Sequence, residues 1–258
     1  MSFNFKQCNQ NEIKNIIQEY VSTLSSPIDS FLENHIINSA FYKISFNSEV
    51  AGYYGVHDNQ LLTQFYLKLV HCNKSQEIFK QVIEKHSIKS IFVPTSDELF
   101  LSLVLDNDYK VNKQAYFFQD SKVEIPKEKL YRDGELNFAI PSDIPKITDV
   151  CQDFINKIDE RIENREIFTF TKDNILLGIG IVEQSKLLEG YASIGMFTNE
   201  KYRKQGIGRT ILHYLKEWCY LNQINPICGC WYYNTLSKQT IESANMISKT
   251  RLLNFTVQ

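Results

Sequence analysis

The stretch from Arg203 to Arg209 has the residue types and spacing of a phosphate-binding loop. It reads Arg-Lys-Gln-Gly-Ile-Gly-Arg and stands between an apolar strand pattern that ends at Thr198 and an amphipathic helix pattern. Gly206 and Gly208 allow a tight turn and leave room for a ligand against the backbone. The first N–H groups of a helix have no partner within the helix and lie at the positive end of its dipole. The stretch therefore predicts a site for a phosphate or diphosphate.

Two better-known phosphate loops do not match, because the dinucleotide fingerprint needs a third glycine and the Walker loop needs Gly-Lys-Ser/Thr. Together with the strand Ile194-Gly195-Met196-Phe197-Thr198, the pattern Arg-x-x-Gly-x-Gly resembles motif A of the GNAT N-acetyltransferases. The resemblance implies acetyl-CoA as acyl donor, with its diphosphate on this loop. A helix that merely begins at a glycine-rich turn is the alternative interpretation.

The resemblance also implies which residues bind the cofactor. In GNAT proteins the strand at the position of Met196 diverges from the strand at the position of Trp231. The backbone exposed between them binds the pantetheine amides. An Asn at the position of Asn234 contacts the pantetheine arm and caps the next helix, a cap that the Asn side chain can also form without a cofactor. The cofactor-binding residues implied in this way are Met196, Phe197, Thr198, Arg203, Lys204, Gln205, Gly206, Ile207, Gly208, Arg209, Asn234 and Ser237.

The catalytic residues follow less directly, because Ile241 stands where many family members have a Tyr that protonates the leaving thiolate. Tyr232 and Tyr233 follow a predicted strand, and strand alternation would send them to opposite faces. One of them is the predicted substitute acid, with Ser237 as a poorer candidate, although both tyrosines could equally be ordinary core or surface residues. For the base, the family points to a carboxylate near the strand before the loop. Glu189 and Glu183 flank that strand, and both could instead be solvated hairpin residues.

Composition limits the other function classes. The chain has 258 residues, is 43% hydrophobic and carries a formal net charge of −2, so nothing electrostatic favours nucleic acid or an anionic membrane. No apolar signal core or membrane-spanning run is present, which predicts a soluble, cytoplasmic protein. Six cysteines without a CxxC pattern and five histidines without ligand spacing predict no metal. A homodimer is left open.

The order of predicted elements occurs twice along the chain. The interpretation is an α/β protein of two tandem GNAT-like domains, each a mixed, mostly antiparallel sheet flanked by helices. We assign residues 1–120 to a degenerate N-terminal domain, residues 121–134 to a linker, and residues 135–258 to the acetyl-CoA-binding domain. In the first domain a strand over 61–70 is followed by His71-Cys72-Asn73-Lys74-Ser75, which has no glycine. We therefore expect no cofactor there, and expect that domain to wall off the acceptor pocket. A chance repeat of common α/β patterns is the alternative.

Several local predictions belong to the second half. Ser142 should cap a helix, a further helical stretch should cover 150–162, and the closing strand should cover 248–257. Asn245 should take the left-handed conformation that ends a helix, where many family members have Gly. The function implied is transfer of acetyl from acetyl-CoA to the amine of a small molecule, by direct attack on the thioester. The alternatives are a non-catalytic acyl-CoA-binding or regulatory module and a transferase that uses another acyl donor.

Overall fold

The computed structural model describes residues 3–257 and forms two compact units. Unit 1 comprises Met1–Phe117, Lys186–Leu188 and Lys249–Gln258, and unit 2 comprises Phe118–Ser185 and Glu189–Ser248. The strands are β1 Asn4–Cys8, β2 Ala40–Phe46, β3 Glu49–His57, β4 Leu61–Leu67, β5 Ser90–Pro94, β6 Lys110–Asp120, β7 Glu135–Phe138, β8 Ile167–Lys172, β9 Ile175–Gln184, β10 Tyr191–Thr198, β11 Asn225–Trp231 and β12 Met246–Thr256. The α-helices are α1 Lys14–Thr23, α2 Ser30–Ile37, α3 Ser75–His86, α4 Glu98–Leu105, α5 Ile144–Cys151, α6 Ile158–Glu163, α7 Ile207–Leu221 and α8 Thr235–Ser243.

Unit 1 is a mixed sheet with helices on both faces. Its strands lie in the order β1-β2-β3-β4-β5-β12-β6, and the β4–β5 pair is parallel. Alternation along β3 and β4 sends Tyr54 and Phe65 to one face, where they pack with Phe79 of α3 and Phe100 of α4. Tyr20 of α1 packs on the other face. The sheet is therefore covered on both sides, as its apolar strands require.

Unit 2 repeats this architecture with strand order β11-β10-β9-β8-β7. The β10–β11 pair is parallel, whereas β7 to β10 pair antiparallel. Helix α7 lies close to one face, because a Cβ on Gly180 would come within 3.0 Å of a Leu215 methyl group. The opposite face packs Ile179 against Ile147 of α5 and Ile162 of α6. The predicted fold class is confirmed in its architecture, which is two tandem α/β units that each combine a mixed sheet with flanking helices.

The division of the chain differs from the predicted boundaries at two places. Residues 249–258 lie in unit 1, because β12 pairs with β5 in the register Leu253↔Val93. Residues 121–134 pack within unit 2 and are not a free linker. Asn245 Nδ2 donates to the carbonyls of Val123 and Glu124, each at 3.1 Å. Asn245 has φ 58°, which confirms its predicted left-handed conformation.

Local predictions failed where backbone geometry interrupts an apolar pattern. Strand β4 ends at Leu67 and a 3₁₀ turn Leu69–Lys74 follows, so the predicted strand 61–70 is too long. The predicted helix over 150–162 is broken, because Gln152 and Lys157 have φ of 47° and 53°. Ser142 lies inside a 3₁₀ turn, and Asp143 Oδ2 makes the cap by accepting from Ile140 N at 3.0 Å.

Within residues 3–257, no helix is long and apolar enough to cross a membrane.

Candidate functional site

Strands β10 and β11 separate halfway along their length. Their parallel register covers Tyr191↔Asn225 to Ser193↔Ile227 and stops there, although both strands continue. On its other side β10 stays paired with β9 as far as Thr198. The edge of β10 that faces β11 is therefore open from Ile194 onward, which leaves backbone amides available to an extended ligand. This opening agrees with the splay that the family resemblance implies.

The loop after β10 turns through two residues in the left-handed region. Lys204 has φ 64° and Gly206 has φ 82°, and α7 begins at Ile207. The hydrogen bond from Thr210 N to Gly206 O, at 3.0 Å, is the first of the helix. The preceding N–H groups of the first turn consequently point out of the helix end, beside its positive dipole.

The segment before β7 supports the first turn of α7, a feature that the sequence analysis missed. The Tyr131 amide donates to Thr210 Oγ1 at 2.8 Å, and that hydroxyl donates to Gly206 O at 3.0 Å. The guanidinium of Arg209 donates to Lys129 O. The end of the Arg209 side chain is thus fixed by the Lys129 carbonyl. The buried Nε of Arg209 has no partner among the residues described. No motif in the sequence signalled these contacts, because the two segments are about 80 positions apart.

The two loop glycines have different roles. A Cβ on Gly208 would lie 2.8 Å from Thr240 Cγ2, 3.1 Å from Thr198 Oγ1 and 3.2 Å from Met196 Sδ. Gly208 is therefore needed for close packing of α7 on β10 and α8. At Gly206 a Cβ would lie 2.8 Å from the Arg209 guanidinium and 3.5 Å from Lys129 O. Gly206 is therefore needed for the turn itself, because its φ of 82° is one that a residue with a side chain rarely adopts.

Arginine and lysine side chains give the loop positive charge. Arg203 forms an ion pair with Glu200 at 3.0 Å, and its Nε donates to Thr198 O at 3.4 Å. Its guanidinium also lies 5.7 Å from the centre of the Phe197 ring. Lys204 and the neighbouring Gln205 are exposed. A cationic loop at a helix N-terminus suits an anionic ligand.

The turn after β11 contains the predicted proton donors. Asn234 caps α8 by accepting from Ser237 N at 3.1 Å, as predicted. Tyr232 and Tyr233 lie beyond the strand end, in a turn, with ring centres 5.2 Å apart. The prediction that strand alternation sends these two tyrosines to opposite faces was wrong, because β11 ends at Trp231. Ile241 is 2% exposed and belongs to the core.

The two candidate carboxylates occupy different ends of β10. Glu183 of β9 is paired with Ser193, at the point where β10 and β11 separate. Its carboxylate lies 2.8 Å from Arg161, which also binds Glu166 at 3.0 Å. Glu189 is exposed and precedes the closed end of the strand pair. By backbone register Glu183 lies level with the point where β10 and β11 separate, whereas Glu189 does not, and the Glu183 carboxylate is paired with Arg161.

Burial makes two cysteines of unit 2 poor nucleophiles. It raises the pKa of Cys151 to about 11 and the pKa of Cys219 to about 12. Both stay as thiols at neutral pH, and a thiol is much less reactive than a thiolate. This chemistry favours direct transfer over a covalent intermediate on either residue.

Comparison with known proteins identifies the fold. Residues 9–121 match the model of a GNAT acetyltransferase domain. The match lies in the half that lacks the glycine loop and confirms its GNAT character. Residues 9–121 are therefore similar to a GNAT acetyltransferase domain. A comparison with curated proteins finds no match.

Solved structures share the fold over nearly the whole chain. A GNAT-family acetyltransferase from Colwellia psychrerythraea is 20% identical with a TM-score of 0.87, over 99% of this chain and 100% of that one. A GCN5-related N-acetyltransferase from Sphaerobacter thermophilus is 10% identical with a TM-score of 0.69, over 98% and 94%. A tandem GNAT protein from the clavulanic acid biosynthesis pathway is 9% identical with a TM-score of 0.64, over 99% and 98%.

Proposed function

We propose that unit 2 binds acetyl-CoA and transfers its acetyl group to the amine of a small molecule. The observation that carries this proposal is the opening between β10 and β11, which continues directly into the glycine loop and the first turn of α7. The N–H groups of Ile207, Gly208 and Arg209 would hold the diphosphate. The open edge of Met196, Phe197 and Thr198 would hold the pantetheine amides, in the manner of an added strand.

Bound acetyl-CoA supplies an activated thioester. The acceptor nitrogen forms a bond to the acetyl carbon while the carbon–sulfur bond breaks, so the amine loses a proton and the thiolate gains one. We assign removal of the amine proton, directly or through water, to Glu183, because this residue lies where the strands separate. Tyr232 or Tyr233 would protonate the thiolate. Positioning of the two reactants supplies much of the remaining acceleration.

The amine dependence of thioester consumption tests this proposal. The full chain is incubated with acetyl-CoA and a panel of small primary amines, and release of the free thiol is followed. Release that depends on an amine, with an N-acetylated product identified by mass spectrometry, supports the proposal. Tight acetyl-CoA binding without release for any amine would favour a non-catalytic acyl-CoA-binding module, an outcome that the buried Ile241 would suit. Faster release from longer acyl-CoA thioesters would indicate another donor.

A further inference from the structure

Unit 2 has a cavity of about 460 Å³ between the C-terminal half of α7 and the edge strand β7, which we name the α7–β7 cavity. Its helix wall consists of Tyr214, Glu217, Trp218 and Leu221, whose spacing of three and four residues places them on one face of α7. Residues 134–137 form the strand wall, and Phe168 of β8 completes the lining. Pockets for small organic molecules usually measure roughly 300–1,000 Å³, so the cavity has room for such a ligand.

Packing fixes the aromatic rings that line the α7–β7 cavity. The Trp218 ring meets the rings of Phe168 and Phe138 edge to face, with ring centres 5.6 Å and 6.0 Å apart. Phe138 and Phe168 stack on each other at 4.2 Å, and the ring centre of Tyr214 lies 6.3 Å from that of Phe170. Trp218 and Tyr214 are half-buried, so each ring keeps part of its surface toward the cavity. The cavity is therefore preformed, and it offers a ligand apolar contact and aromatic rings.

The charge of the lining favours a cation. The charged residues that line the cavity are Glu135 and Glu217, and none of the described lysines, arginines or histidines does. Among the residues described, neither carboxylate pairs with a lysine or an arginine. Glu217 Oε1 lies 3.3 Å from His213 Nε2, which is an ion pair only when His213 is protonated, and the Glu217 side chain is 56% exposed. The α7–β7 cavity thus combines a carboxylate at its mouth with aromatic rings inside, and both attract organic cations.

The α7–β7 cavity is distant from the proposed acyl-transfer site. A helical rise of about 1.5 Å per residue places Trp218 about 18 Å from Gly206 along α7. In the sheet, β9 lies between β8 and β10, so the cavity and the opening between β10 and β11 lie at opposite ends of the strand order of unit 2. A ligand in the cavity therefore leaves the glycine loop and the opening free for acetyl-CoA.

We propose that the α7–β7 cavity binds an organic ammonium ion with an apolar body, of the size of phenethylammonium. The ammonium group lies at the Glu217 carboxylate, and the phenyl ring lies against Trp218 and Tyr214. This site is separate from the amine acceptor site of the proposed function. Binding needs no acetyl-CoA, so the proposal stands or fails independently of acetyl transfer.

Fluorescence titration of the full chain with phenethylammonium chloride tests the proposal, at pH 8, at constant ionic strength and without acetyl-CoA. The chain has two tryptophans, so Trp231→Phe leaves Trp218 as the only indole and makes its emission a local signal. The expected result is a saturable change in that emission, accompanied by saturable heat in a calorimetric titration. 2-Phenylethanol has the ring without the charge, and ethylammonium has the charge without the ring, so each should bind at least ~10-fold more weakly.

Two substitutions in the Trp231→Phe protein test the carboxylate. Glu217→Gln keeps the shape of an exposed side chain and removes its charge, so binding of phenethylammonium should weaken about 10-fold. Glu242→Gln is the matched control, because Glu242 forms an exposed ion pair with Lys238, one turn away on α8 at 3.2 Å, and does not line the cavity. Its affinity should equal that of the Trp231→Phe protein.

Three results would overturn the proposal. The first is the absence of both saturable heat and a saturable change in emission. The second is saturable heat without a change in Trp218 emission, or with equal affinity in Glu217→Gln, because either would place the amine elsewhere, including the acceptor site of unit 2. The third is equal affinity for 2-phenylethanol or for ethylammonium, which would remove the charge or the aromatic lining from recognition.

Discussion

The charge on Asp97 should make the folded chain less stable as pH rises, and Asp97→Asn should remove that dependence. Burial raises the pKa of Asp97 from its ordinary 3.8 to about 6, although the Phe100 amide and Tyr20 act to lower it. The folded state therefore holds this proton more tightly than the unfolded state. Its contribution to stability is complete below about pH 4 and is lost as pH rises to about 6.

The size of the effect follows from the two pKa values. A rise from 3.8 to about 6 corresponds to about 3 kcal/mol, at about 1.4 kcal/mol for each pH unit. Relative to wild type, Asp97→Asn should therefore gain about 3 kcal/mol of stability between pH 3.5 and pH 7. The gain should level off above pH 7, where Asp97 is fully charged in both states.

Urea unfolding at half-unit pH steps, followed by tyrosine fluorescence and circular dichroism, measures this difference. Groups other than Asp97 titrate in both proteins, so their contributions cancel in the difference between the two free energies of unfolding. Asp29→Asn controls for the change of residue type, because Asp29 caps α2 as Asp97 caps α4. If the stability difference between Asp97→Asn and wild type did not change with pH, then Asp97 would titrate at an ordinary pKa and its burial would not raise that pKa.

Two further predictions concern proton transfer in unit 2. Glu183→Gln should lower kcat by about 10²-fold, because a general base typically contributes 10²–10⁴. Glu189→Gln, its matched control, should stay within about 2-fold because it lies at the closed end of the strand pair. The pH profile of kcat separates loss of a base from loss of structure, and equal effects of the two variants would remove Glu183 from the assignment. Tyr232→Phe or Tyr233→Phe should slow turnover without changing acetyl-CoA affinity; unchanged turnover in both would leave water as the proton donor.

The loop was predictable because its signals are local. A glycine pair, a preceding apolar strand and a following amphipathic pattern are adjacent in the sequence, and each limits the backbone on its own. Gly206 accordingly has a positive φ and α7 starts at the next residue. The cap by Asn234 and the left-handed Asn245 followed from the family resemblance together with the chemistry of the Asn side chain.

The parts that failed depend on contacts between distant residues. The pairing of β12 with β5 joins positions about 160 residues apart, so no local pattern could assign the closing strand to unit 1. Strand β1 was not predicted, because its exposed and half-buried residues carry a weak apolar pattern and its stability comes from pairing with β2. The contact between Tyr20 and Tyr53, whose ring centres are 6.1 Å apart, was not predicted either, because it forms only when α1 packs on the sheet.

The glycine loop of unit 2 should bind acetyl-CoA, and calorimetric titration with acetyl-CoA tests this binding most directly. Three proteins are compared: the wild type, Gly206→Ala, and Gly190→Ala. Gly190 has φ 75° with nothing within 4 Å of an added Cβ, so it matches the backbone strain of Gly206 outside the loop. Each substitution should cost roughly 1–2 kcal/mol of stability.

We expect one acetyl-CoA per chain, bound equally by wild type and Gly190→Ala. We expect Gly206→Ala to bind at least ~10-fold more weakly, because the added methyl group would meet the Arg209 guanidinium at 2.8 Å and shift the turn that orients the first N–H groups of α7 toward the diphosphate. Two equivalent sites per chain would contradict the assignment to unit 2 alone. Unchanged affinity in a folded Gly206→Ala protein would contradict the role of the loop itself.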